Sequence, residues 1–331
     1  LALLALRFSY LVETRLDNEV RTKYRGARRH VQAVTIEELA ILNARENENS
    51  PSPRPLPGPI RHLAFDLSDP NAPTPQPFPC TYLGREEAVG PFIALATQNT
   101  IRPFEIRAAD KARPDAMKDL AAEAGLGSKF GADVFDALNE AREVLTNGND
   151  TNWGKLGALG VGAAALVVAT GGLALAAGGG LAGAAAITSA LAGFGPGGMI
   201  GGLATAGTLM GVGGSGIGWG LASSTTTAES VEAFIVFQLA GVILRDKQQL
   251  DQDPTVWRRL TETEMELRRE YERLDEFSDK SSSSLKELKR KITSVERALD
   301  YMSKHCFEPG AETESPANVA RQKFPFPRRT S

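Results

Sequence analysis

The spacing of apolar and polar positions changes several times along this chain, and each change marks a different kind of segment. Residues 1–50 alternate at helical intervals and predict an N-terminal helical segment, opening with the apolar run Leu1 to Leu6. Residues 51–80 hold about half of the 19 prolines, a density that forbids helix and predicts an extended, semi-rigid linker or a PxxP ligand for a partner domain. Within it, His62 to Leu67 reads as one short strand. Residues 81–150 predict a small α+β unit. Its strands are the short apolar runs Phe92–Ala96 and Ile101–Ile106, bounded by Gly90, Pro91, Gln98 and Asn99. Its helices are Asp115–Ala124, stopped by Gly125, and Ala132–Leu145, with Val134, Phe135, Leu138, Ala141, Val144 and Leu145 on one stripe.

The pattern then becomes uniform. Residues 151–228 form a Gly/Ala-rich hydrophobic hairpin in this reading, and from Leu156 to Ala228 no residue carries a charge. One membrane helix needs only about 20 such residues. Gly178–Gly180 and Gly195–Gly198 divide the run into helical pieces at Leu156–Ala177, Leu181–Phe194 and Met199–Trp219. Gly193, Gly197 and Gly201 recur every four residues, as do the pairs Gly207/Gly211 and Gly214/Gly218. That interval returns to nearly the same helix face, so two backbones can approach closely along it. The first piece holds few large apolar residues, and roughly −2 to −5 kcal/mol of insertion free energy makes it marginal alone.

Amphipathic spacing returns in residues 229–305. Glu229 to Leu244 predicts a helix packed on the hairpin or lying at an interface. Asp253–Pro254 is a helix start, and Leu260, Leu267 and Leu274 follow at heptad spacing. After a serine-rich break, Leu285, Leu288, Ile292, Val295, Leu299 and Met302 alternate in steps of three and four, a coiled-coil seam. Thr255–Phe277 folding back on Leu285–Lys304 gives an antiparallel coiled-coil hairpin, closed on itself or used for self-association. Residues 306–331 predict a disordered tail. The fold class expected is therefore mainly α, with the small α+β unit N-terminal to the two hairpins.

Charge and rare residues add less. Arg7, Arg15, Arg21, Lys23, Arg25, Arg28 and Arg29 make the first helix basic, while Glu13, Asp17 and Glu19 interleave with them. The simple reading is a solvated helix face; the functional one is a patch for anionic lipid or nucleic acid. A net charge of −3 argues against a dedicated nucleic-acid binder. His30, His62 and His305 are too scattered for a metal site, and Cys80 and Cys306 too distant for a disulfide scaffold, which favours a reducing compartment. The opening apolar run reads as an internal helix of a longer chain, or as the rear of a leader or membrane helix; an enzyme domain could precede it.

No catalytic motif emerges. Gly211 to Gly216 fits GxGxxG, but no strand precedes it and the surroundings are glycine-rich throughout. Ser215 misses the last position of a nucleophile elbow. No catalytic residue, cofactor or metal is therefore expected.

From about Trp153 to Met302, the uncharged hairpin with Gly193, Gly197 and Gly201, followed by amphipathic helices, resembles membrane-inserting proteins of the apolipoprotein-L-like and colicin-like kind. Those families include membrane-permeabilising members whose hairpins carry the insertion. The resemblance implies a non-enzymatic protein that anchors in or permeabilises a bilayer, with the lipid bilayer as partner and flanking regions in the cytoplasm. The alternative expectation is a structural or assembly protein, such as a virion or secretion component, oligomerising through packed Gly/Ala helices and the coiled coil.

Overall fold

The computed structural model describes residues 2–48, 52, 55–80, 82–146, 227–279 and 282–305. Among these the elements are helices α1 (Ala2–Thr14), α2 (Asn18–Asn47), α3 (Gly58–His62), α4 (Arg85–Thr97), α5 (Arg113–Glu123), α6 (Ser128–Thr146), α7 (Ala228–Lys247), α8 (Pro254–Phe277) and α9 (Ser283–Lys304), with a 3-10 helix at Arg107–Ala112. The protein is mainly α, as expected.

Helix α7 is the axis of the packing. Val231, Phe234, Ile235, Phe237, Leu239, Ile243 and Leu244 are all buried, and they point in every direction around the helix. Such a helix has to be enclosed, and α4, α6, α8 and α9 each pack on it. Its few charges are matched by neighbours. Arg290 of α9 donates from Nε and Nη2 to the two carboxylate oxygens of Glu232, each at 2.8 Å, and from Nη1 to Glu229 at 2.5 Å. Glu287 accepts the first backbone N–H of α7, from Ala228, at 2.9 Å.

The described residues contain no strand, so the small α+β unit is corrected to an all-helical one. Phe92–Ala96 lies inside α4, which runs through Pro91 and buries Ala88, Val89, Gly90 and every residue from Phe92 to Ala96. A short apolar run looks the same as a strand or as a wholly buried helix, and here burial on all sides selects the helix. Ile101–Ile106 is turn and irregular chain, and His62 ends α3 rather than opening a strand.

The two helices expected downstream occur as α5 and α6. Gly125, at φ +77°, turns the chain between them, in a left-handed conformation that suits glycine. Gly131 lets α6 lie directly against α5, since a Cβ there would sit 2.7 Å from Lys118 Cα. Asp253 caps α8 by accepting the Thr255 N–H at 2.9 Å, with Pro254 in the first turn. Helix α9 packs against α8, α7 and α6. On it Leu285, Leu288, Ile292, Val295 and Met302 are buried, and Leu299 is partly so.

Among the described residues, no helix is long and apolar enough to cross a membrane. This conflicts with a membrane-anchoring or pore-forming protein and with placement in a membrane, and those expectations are corrected accordingly, along with what the resemblance implied for function. Helix α7, the most apolar of the longer helices, has Glu229 and Glu232 near its start and Arg245 and Lys247 near its end. Its remaining faces are covered by protein. The stretch that prompted the membrane reading, with Gly193, Gly197, Gly201, Gly207, Gly211, Gly214 and Gly218, lies outside the described residues.

Two stability predictions follow from these contacts. Gly131→Ala should lower the unfolding free energy by about 1–3 kcal/mol through overpacking against α5. Gly26→Ala, in α2 with open space around the added methyl, should raise it by up to about 1 kcal/mol. Urea unfolding of both variants reads the contrast, and equal effects would contradict the packing. A third prediction concerns acid. Glu140 of α6 accepts from Tyr301 Oη of α9 at 2.6 Å and pairs with Lys247 of α7 at 3.0 Å. Burial pushes the pKa of this carboxyl up, but the bonds from Tyr301 and Lys247 outweigh it and hold the carboxyl below its ordinary value. A depressed folded value stabilises above the unfolded value of about 4.3 and is lost as pH falls through the folded one. Glu140→Gln should therefore lose less Tm than the parent on acidification below about pH 5. Superimposable acid limbs in thermal melts would rule this out.

Candidate arginine-lined cleft

Four arginines of α2 share one face, because Arg21, Arg25, Arg28 and Arg29 follow at steps of four, seven and eight residues. They line a cleft of about 420 Å³ with Tyr10, Glu13 and Thr14 of α1 and Thr74 and Gln76 of the proline-rich stretch. Four cations thus face one carboxylate. This volume lies within the range of small-ligand sites.

The cleft is assembled by long-range polar contacts. Glu13, at the C-terminal end of α1, sits beneath the arginines with its side chain 6% exposed. Its two oxygens accept from Arg25 Nε at 2.7 Å and from Arg28 Nε at 2.6 Å. A carboxylate at a helix C-terminus is unfavourable by itself, and the paired guanidinium groups reverse that. Arg28 also donates to Gln32 Oε1 at 3.0 Å. The guanidinium groups of Arg7 and Arg28 both stand against the ring of Tyr10, 5.1 and 5.4 Å from its centroid.

The opposite wall is tied down through its carbonyls. Arg29 donates from Nη1 to Ala72 O and from Nη2 to Asp69 O, both at 2.5 Å. Gln32 Nε2 donates to Leu63 O at 3.1 Å and to Pro75 O at 3.0 Å. Arg7 Nη1 reaches Pro77 O at 2.8 Å and grips Glu123 through Nε and Nη2, which holds its guanidinium above the usual arginine range despite partial burial. The extended stretch offers many carbonyls and few N–H groups, so arginine and glutamine donors complement it.

These anchors separate the arginines by role. Arg28 and Arg29 are committed to protein partners. Arg25 is paired to Glu13 yet 60% exposed. Arg21 gives Nη2 to Thr14 O at 3.3 Å, while its buried Nε has no hydrogen-bond partner among the described residues. An incoming anion would meet Arg21 and Arg25 first, with two held cations behind them.

The sequence reading of a solvated basic face describes Lys23, which is exposed, but not Arg28, which is 3% exposed. Gln32, Thr74 and Gln76 carry no signal of the cleft in the sequence, where Glu13 stands only as a charge interleaved with the arginines. The helical spacing of the four arginines was the available signal. The expected packing glycines lie outside the described residues, and the α9 seam helix packs against α6, α7 and α8 and contributes nothing to the lining of the cleft. Set against known proteins, the chain matches no family model, no curated protein and no solved structure.

The buried pair generates a stability prediction. Glu13→Ala strands Arg28 without its carboxylate and should cost about 3–5 kcal/mol in urea unfolding. A Glu13→Met/Arg28→Met double variant should regain most of that loss. If the single variant is as stable as the parent, Glu13 does not hold the cleft together.

Proposed function

We propose that this chain is a non-catalytic helical binding protein whose α1–α2 cleft takes a compact polyanion of the phosphate type. The observation that carries the reading is the surplus of cation in the cleft: four arginines around one carboxylate, with Arg21 Nε buried and unmatched. Guanidinium groups recognise phosphate oxygens through paired, directional N–H donors. Two of the four are already fixed by the protein, so little side-chain entropy is lost when a ligand binds. Glu13, the carboxylate within the cleft, is held by two arginines and is poorly placed to act as a base, which favours binding over catalysis.

Isothermal titration of inorganic triphosphate, orthophosphate and citrate into the full chain tests this. Triphosphate should bind saturably and more tightly than orthophosphate or citrate, and more weakly as salt rises, because the mouth of the cleft is exposed. Arg21→Gln/Arg25→Gln leaves Arg28 on Glu13, so the chain should still fold, with a Tm only slightly below the parent's. Each charge-assisted bond is worth about 1.5–3 kcal/mol, so the double variant should bind at least tenfold more weakly. Undiminished binding in that variant, or none in the parent, would overturn the proposal.

A further inference from the structure

The proline-rich wall of the arginine cleft carries one hydroxyl that faces the cations. Residues 73–80 have no regular secondary structure, and prolines on both sides, Pro73 and Pro75, restrict Thr74 to extended chain. The wall around it is fixed, because Ala72 O accepts from Arg29 Nη1 at 2.5 Å and Pro75 O from Gln32 Nε2 at 3.0 Å. With its neighbours anchored, Thr74 turns its side chain to the cleft, where Oγ1 accepts from Arg29 Nη1 at 3.4 Å. That bond is longer than the usual range of about 2.7–3.2 Å, so the hydroxyl is weakly held. Thr74 is only partly buried, on a segment outside the helices.

Arg21, Arg25 and Arg28 line the same space of about 420 Å³. A threonine hydroxyl is a poor partner for so many guanidinium groups, and a phosphate on it is a good one. It adds about −1.5 to −2 charge at pH 7 and three acceptor oxygens. Guanidinium forks match those oxygens, and a phosphate carried by the wall has no translational freedom to lose. Glu13, the carboxylate in the lining, opposes the added charge, but Arg25 and Arg28 already bind its two oxygens.

We propose that Thr74 is a phosphorylation site whose phosphate seats among the arginines and occupies the cleft in cis. A proline-directed kinase, which reads a Ser/Thr-Pro step in extended chain, supplies it. The γ-phosphoryl group of a nucleoside triphosphate passes to Thr74 Oγ1. The new O–P bond forms, the bond to the β-phosphate oxygen breaks, the nucleoside diphosphate leaves, and the hydroxyl proton goes to the kinase's base. The modified wall then excludes a free polyanion, so the modification switches the cleft off. The inference rests on the cleft being a phosphate site and names its regulation.

The test has two arms on the full chain. In the first, Ser50, Ser52 and Ser315, which also precede proline, are changed to alanine. A kinase active on a peptide of residues 68–80 should phosphorylate the folded chain at Thr74, read by mass spectrometry, and Thr74→Val should abolish it. In the second, phosphothreonine is incorporated at position 74 during synthesis, and its 31P resonance is followed against pH. Seated among guanidinium groups, the phosphate should lose its second proton at lower pH than in the same chain unfolded in urea, where the value is about 6. Arg21→Gln/Arg25→Gln should move it back toward the unfolded value. Triphosphate should bind the phosphorylated chain about tenfold more weakly than the parent, or worse, because the tethered phosphate competes at an effective concentration on the order of millimolar. A kinase that modifies the peptide but not the folded chain, or a 31P titration equal in folded and unfolded chain, would refute the site. If the parent binds no triphosphate while the 31P titration is displaced, the free-ligand reading falls and this one stands. A parent that binds triphosphate, with the 31P titration undisplaced, gives the reverse.

Discussion

Helix α7 has no polar face to offer to water, and the rest of the fold is arranged by that constraint. Each large apolar side chain it buries is worth about 1.5–3 kcal/mol, and those side chains surround the helix. Helices α4, α6, α8 and α9 are the elements that enclose it. From Ala88 to Ala96 helix α4 is itself apolar, because it lies in the same interior. The charges at the ends of α7 are drawn to partners on the enclosing helices, Arg290 at one end and Glu140 at the other. Against this background Gln238 is the exception, a polar side chain without a hydrogen-bond partner among the described residues, in a helix whose other buried charge, Glu232, is held by Arg290.

The arginine cleft is built on the outside of that core by electrostatics rather than by apolar contact alone. Helix α1 is clamped to α5 by two bidentate pairs, Arg7 with Glu123 and Arg15 with Asp119. Helix α5 packs on α6, and α6 on α7, so the cleft inherits its rigidity from the centre. Within it the burial of Glu13 requires at least one arginine, and the carbonyl-rich wall holds another. The remaining cationic surplus is not needed for folding, and that surplus is what makes the cleft a ligand site.

Sequence made some of this plain. Helices α6, α8 and α9 carry clear amphipathic spacing, and Gly125 after α5 and Asp253 before α8 mark boundaries that the structure keeps. Helix α4 was opaque because an apolar run has no period to read, and Gly90–Pro91 looked like a boundary when the helix continues through it. The cleft was half legible. The arginine spacing was there to be read, but their partners lie far along the chain: Arg7 meets Glu123 across 116 residues, and Arg29 meets Asp69 across 40. Gln238 gave no signal at all, since an isolated glutamine in an apolar helix is ordinary until its surroundings are known.

Hydrogen exchange of the full chain, with and without inorganic triphosphate, tests the central claim most directly. That claim is that a protected α7 core supports a cleft on α1 and α2 that closes on a polyanion. The account predicts slow exchange throughout α7 in both conditions. It also predicts that triphosphate slows exchange selectively in peptides spanning the end of α1, the first turns of α2 and the stretch around Thr74. Uniform exchange in those peptides with and without triphosphate, or an α7 that exchanges as fast as the exposed loop near Asp69, would contradict it.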